Sequence, residues 1–372
     1  MDLANEIRPE STSHYYWLDW LRFIAALLVV IGHARFQHFG MYSDLHIPCK
    51  GLWSETLFFI PRLASEAVTV FFVLSGYLVG GRTLERAISG KFDCTSYIID
   101  RGVRIWLPLI PAVLFTWMVS ALNGENINWA EGIGNIFAMQ GVLVDPMLNN
   151  SALWSLSYEV WFYVAALGVG LFFNNRGKTA WIPMLLLTCV FVIFSSLGSN
   201  NLFIWLLGTL AYFLKPGRFR WTILIIGTLF AGIGGLFSAL GVANASQKLS
   251  FAGNSSFHRE YFLILLGLGV SISLPVIVRL RPRGPSLERI NRYGSGLAAW
   301  SYSLYLIHRP ILYLWSNFHD SNTTNQFNAY SIVMYLVKIG SCLAGGWLFW
   351  LLFEGRTDQV RRLLKKKCFL SN

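Results

Sequence analysis

The chain has 372 residues, of which 54% are hydrophobic and only 13% charged, with a formal net charge of +11. A soluble domain carries roughly 25% charged residues, and here the apolar surplus comes in runs long enough to cross a bilayer, which excludes an ordinary soluble protein. The basic surplus falls in alternate loops, which argues against a nucleic-acid partner and for membrane topology.

The first sixteen residues are polar and contain acids, so no cleavable signal peptide is evident. The first apolar run, Trp17–Phe36, reads as a spanning helix interrupted only by Asp19, Arg22, His33 and Arg35. Arg22 and His33 are eleven positions apart. That is about three helical turns, so they share a face at roughly 16 Å axial separation. Asp19 lies one turn before Arg22 and can pair with it. A charge in a bilayer costs about 2.5–3.5 kcal/mol on insertion scales, so this stripe points to a polar site. The competing reading has Arg22 reaching the lipid interface beside Asp19, with His33 a hydrogen-bonded packing residue.

Nine further apolar runs follow: 63–79, 103–122, 153–173, 180–197, 202–214, 221–240, 261–278, 297–315 and 331–353. Loops 80–101, 174–179, 215–220 and 279–292 are basic, and loops 123–150, 198–201 and 316–330 contain no Lys or Arg. The positive-inside rule then puts both termini in the cytoplasm. The expected fold is all-α: a polytopic membrane protein of about ten transmembrane helices forming one domain over residues 1–372. Residues 1–16 would be a short cytoplasmic N-terminus and 356–372 a basic cytoplasmic tail. No internal repeat is evident. Cys49, Cys94, Cys189, Cys342 and Cys368 are scattered without metal-binding spacing. The sequons at Asn149, Asn244, Asn254 and Asn322 read as chance occurrences in polar loops.

Polar groups recur inside the runs. The second ends FFVLSGYL, where Gly76 allows close helix approach and Ser75 and Tyr77 supply hydroxyls. The third opens with Arg101 and Arg104 on one face, able to chelate a phosphate or carboxylate, or else simply topogenic. Pro108 and Pro111 are expected to kink that helix. The fourth, WSLSYEVWFY, places Glu159 among Trp154, Ser155, Tyr158 and Tyr163, as a support for a histidine, a partner for an arginine, or a structural ion pair. The ninth, SYSLYLIHRP, adds a second intramembrane histidine, His308, just before Pro310.

Arg22-x10-His33, FFVLSGYL, Arg101-x-x-Arg104, WSLSYEVWFY and SYSLYLIHRP, in this order over most of the chain, resemble the acyltransferase family 3 group. These are multi-span bacterial membrane acyltransferases that decorate surface glycans. The resemblance implies an acyl-coenzyme A donor, usually acetyl, bound as a co-substrate rather than a resident cofactor. It implies a hydroxyl acceptor on a lipid-linked sugar, O-antigen of lipopolysaccharide, or exopolysaccharide, and a setting among lipids of the bacterial cytoplasmic (inner) membrane. It also implies that His33 is catalytic with Arg22 beside it, and that Arg101 and Arg104 serve the donor. Glu159 is then expected to support the His33 imidazole, with Ser75, Tyr77, Trp154, Tyr163 and His308 as substrate-binding candidates. A covalent acyl-histidine or acyl-serine intermediate stays open. The rival reading is a proton-coupled transporter or exporter, which also buries His, Glu and Arg.

Overall fold

The computed structural model describes residues 16–40, 42, 51–174, 179, 181–240, 248–250, 256–282, 284–317, 324 and 326–370. Cys49, the sequons at Asn244, Asn254 and Asn322, and residues 1–15 lie outside them.

The described chain is helical apart from one hairpin, Lys248–Ser250 paired antiparallel with Ser256–His258. Each of the ten apolar runs forms a helix. These are α1 (Tyr16–His38), α3 (Ala64–Ser75), α5 (Cys94–Leu122), α7 (Trp154–Asn174), α8 (Trp181–Leu197), α9 (Ser199–Ala211), α10 (Arg220–Leu240), α11 (Arg259–Ile277), α13 (Ser301–Leu314) and α14 (Ala329–Leu352). Seven segments among the described residues are long and apolar enough to cross a membrane. α8, α9 and α13 fall short, at 17, 13 and 14 residues. Fourteen residues rise about 21 Å, against a hydrocarbon core of about 30 Å.

Five helices lie in segments expected as loops or tail. The basic stretch after α11 holds the amphipathic α12 (Pro285–Ala298), which lies against α1: Trp20 Nε1 donates to Ile290 O (3.1 Å) and Ser295 Oγ to Asp19 (2.9 Å). α6 (Trp129–Ile136) sits between α5 and α7. α15 (Thr357–Leu370) docks on α5, with Lys365 Nζ 2.8 Å from Asp100. α2 (Leu52–Phe59) and a 3-10 turn (Ile60–Leu63) precede α3, and a π-helical turn (Gly76–Gly81) joins it to α4 (Arg82–Ile88).

Missing side chains set the closest packing. A Cβ on Gly76 would meet Trp205 O at 2.0 Å, and one on Gly208 would meet Val73 O at 2.2 Å. α3 and α9 therefore touch backbone to backbone, as the small residue in FFVLSGYL leads one to expect. α5 runs unbroken across Pro108 and Pro111. Asn149 is buried and donates to Ser120 Oγ (2.8 Å), so this sequon is not on a free surface.

Pro310 lies inside α13 and has no N–H, which leaves the Leu306 carbonyl without its helical partner. The side chain of Asn150, just ahead of α7, fills the gap at 2.8 Å. α1 and α13 run in the same direction: Phe23 packs edge-on against Trp300 (5.4 Å) near their starts, and His33 meets His308 further along.

Candidate active site

Six of the ten candidate residues converge on one cavity. Arg22 from α1, Ser75 from α3, Arg101 and Arg104 from α5, and Glu159 and Tyr163 from α7 all line it. Tyr302 and Tyr305 of α13 complete it. The lining holds three guanidiniums and one carboxylate, so it favours an anion. The void is about 130 Å³.

The three arginines are held differently. Arg22 sits 3.7 Å from Asp19, the partner expected one turn earlier. Arg101 lies over the rings of Tyr163 (5.4 Å) and Tyr97 (5.9 Å), within cation–π range, and its buried Nε has no hydrogen-bond partner among the described residues. Tyr97 also donates to Tyr163 O (3.0 Å), pinning α5 to α7. Arg104 is ion-paired with Glu354 at 2.8 Å, and its guanidinium lies 5.5 Å from the Tyr302 ring. Glu354 itself is 1% exposed and accepts from Ser303 N (3.0 Å) and Ser303 Oγ (2.6 Å). It ties the end of α14, the start of α13 and α5 together at the cavity wall. Sequence reasoning missed Glu354; the available signal was an acid closing the 331–353 apolar run.

His33 does not line this cavity. Its Nδ1 lies 2.8 Å from His308 Nε2, with the two rings nearly parallel. His308 is fully buried, and its Nδ1 donates to Tyr305 O at 2.7 Å. Both ring nitrogens are thus engaged by the protein, so His308 has no free polar atom to offer a substrate. His33 is half-buried, and among the described residues its other nitrogen makes no hydrogen bond.

Glu159 is not the partner of His33. Its Oε1 accepts from Tyr163 O–H at 2.6 Å, and it faces the arginines. The reason is axial: α7 delivers position 159 to the level of Arg22, roughly 16 Å below His33 on α1. Tyr77 is buried edge-on against Tyr212 (5.2 Å), on the α9 side of the π-helical turn and away from the cavity. Trp154 packs edge-on against Phe72 and Tyr158, also outside it.

Tyr305 links the two centres. Tyr305 lines the cavity, and its hydroxyl accepts from Ser155 Oγ (2.5 Å) while donating to Ala152 O (2.8 Å). Its carbonyl holds His308. An anion cavity and an imidazole pair therefore follow one another along the same parallel pair, α1 and α13, with Tyr305 between them.

A family model described as an acyltransferase domain matches residues 15–351. The chain belongs to acyltransferase family 3. The charged cavity and the histidine pair both lie within the matched span, as do nearly all residues of this family 3 fold discussed so far; only Glu354 and the following tail lie beyond it. An "O-acetyl transferase" of Shigella phage Sf6 is 28% identical over 195 residues, covering 49% of this chain and 52% of that protein. "O-acetyltransferase PaAT-1" of Phomopsis amygdali is 33% identical over 115 residues, covering 29% of this chain and 23% of that protein. The matches thus span about half or less of these relatives. No solved structure matches.

Proposed function

We propose that this membrane-embedded family 3 chain moves an acyl group, acetyl in the first instance, from acyl-coenzyme A to a hydroxyl of a surface or lipid-linked glycan. The observation that carries the reading is the pairing of an arginine-lined cavity with an imidazole about three turns beyond Arg22 on the same two helices. Arg22, Arg101 and Arg104 grip donor phosphate. The thin pantetheine arm runs along α1 and α13 past Tyr305 to His33. His33 takes the proton of the acceptor hydroxyl as that oxygen attacks the thioester carbon. The tetrahedral intermediate then breaks its C–S bond, and the departing thiolate takes the proton from His33. General-base help of this kind is worth about 10²–10⁴-fold. The two relatives named as O-acetyltransferases support acetyl as the group and oxygen as the acceptor. Alternating basic loops support cytoplasmic termini, with the donor approaching from the Arg22 end of a bacterial cytoplasmic membrane.

The test is turnover by protein in lipid nanodiscs given acyl-labelled acetyl-coenzyme A and a membrane glycan fraction. The reading expects free coenzyme A and alkali-labile label on the glycan, in equal amounts. Solute movement with the thioester intact would favour an exporter and overturn it.

A further inference from the structure

We infer that His308 is a positioning residue that fixes the tautomer of His33 and leaves His33 Nε2 as the proton-accepting atom. The inference rests on the acyl-transfer reading for its catalytic meaning, but its geometry stands alone. A carbonyl oxygen only accepts hydrogen bonds. His308 Nδ1 lies 2.7 Å from Tyr305 O and 3.3 Å from Leu304 O, so in neutral His308 the proton sits on Nδ1. Its Nε2 is then a lone-pair acceptor. Nε2 is 2.8 Å from His33 Nδ1, which must be the donor of that bond. With its one proton on Nδ1, neutral His33 carries its lone pair on Nε2. The half-buried ring is the one left able to meet substrate, and the fully buried ring does the orienting.

The chain of bonds begins in the backbone of α13, so the tautomer is set by helix geometry rather than by a carboxylate. This explains how His33 is oriented although Glu159 stands at the level of Arg22. When His33 takes a proton on Nε2, the Nδ1–H bond to His308 persists, so the ring keeps its aim through the step. Cys342 Sγ of α14 lies 3.6 Å from His308 O, so α14 covers this turn of α13.

The experiment reads the tautomer directly. Protein labelled with ¹⁵N-histidine in nanodiscs is examined by solid-state NMR, with His33→Gln identifying the His33 signals among the seven histidines. His33 is expected in the Nδ1–H form, with Nε2 unprotonated. His308→Phe keeps the ring but has no acceptor, so the Nε2–H form of His33 should appear. kcat should fall roughly 10²–10⁴-fold while KM for acetyl-coenzyme A stays within about twofold. His308→Gln can place an amide oxygen near the Nε2 position and should keep both the tautomer and activity within about tenfold of the unmodified protein, which covers a His308→Phe protein that fails to fold. Finding His33 protonated on Nε2 in the unmodified protein would overturn the inference. So would a folded His308→Gln protein whose His33 has lost the Nδ1–H form. A protein with the expected tautomer but no acyl turnover would instead sink the proposed function and leave the positioning intact.

Discussion

Replacing Glu354 by glutamine removes one charge and almost no volume. In the native arrangement its carboxylate meets Arg104 at 2.8 Å and accepts from both Ser303 N and Ser303 Oγ. Glutamine keeps an amide oxygen for the Ser303 donors, so the loss concentrates on Arg104. Breaking a fully buried ion pair costs about 3–5 kcal/mol. Here the Arg104 side chain is 31% exposed and water in the cavity can reach it. A charge-assisted hydrogen bond, about 1.5–3 kcal/mol, is therefore the better scale. If that pin is what aims Arg104 at the donor, the KM for acetyl-coenzyme A should rise roughly ten- to a hundred-fold, with a smaller change in kcat. The assay is initial-rate kinetics in nanodiscs on Glu354→Gln, Arg104→Ala and the double variant. Groups acting through one contact are non-additive, so the double variant should resemble Arg104→Ala alone. Fully additive losses, or a donor KM untouched by Glu354→Gln, would refute the view that Glu354 works through Arg104.

His33→Gln and His33→Ala should insert, bind acetyl-coenzyme A and lose glycan acylation; a variant retaining more than about a tenth of the rate, under ~1.4 kcal/mol of barrier, would remove His33 as the base. Asn150→Leu should lower stability by about 1–3 kcal/mol, because the Leu306 carbonyl would lose its buried partner; an unchanged thermal midpoint in detergent would contradict this. A cysteine at Asn126 should react with an impermeant thiol reagent in intact cells or spheroplasts, and labelling only after lysis would invert the topology.

The parts of this site that could be read from the sequence are those encoded by local spacing. Arg22, Arg101, Arg104, Ser75, Glu159 and Tyr163 each stand as a polar group in an apolar run, and a helical period is enough to aim such groups inward. What spacing could not supply was depth. Nothing local shows that Glu159 falls level with Arg22 rather than His33, because that depends on how far α7 slides along α1. The His33–His308 bond spans 275 positions and rests on α1 and α13 running parallel. Tyr77 stands two positions after Ser75, about 200° round a helix, so the two hydroxyls do not share a face, and Tyr77 packs on Tyr212 instead. α12 was hidden by its charge: a basic stretch reads as a loop, although its apolar face has α1 to cover.

The Pro310 gap in α13 ties two distant positions to a common fate. Proline at 310 creates an acceptor that only a reaching donor can satisfy, and asparagine at 150 meets it with one amide hydrogen while also donating to Thr116 Oγ1 (3.2 Å). Restoring the helix with Pro310→Ala would give Leu306 O its own amide back and cost the buried Asn150 one of its two acceptors. Either change alone should therefore be harmful, whereas Asn150→Leu with Pro310→Ala should be tolerated. Across related chains the two positions are then expected to be inherited as a pair, exchanged together or kept together.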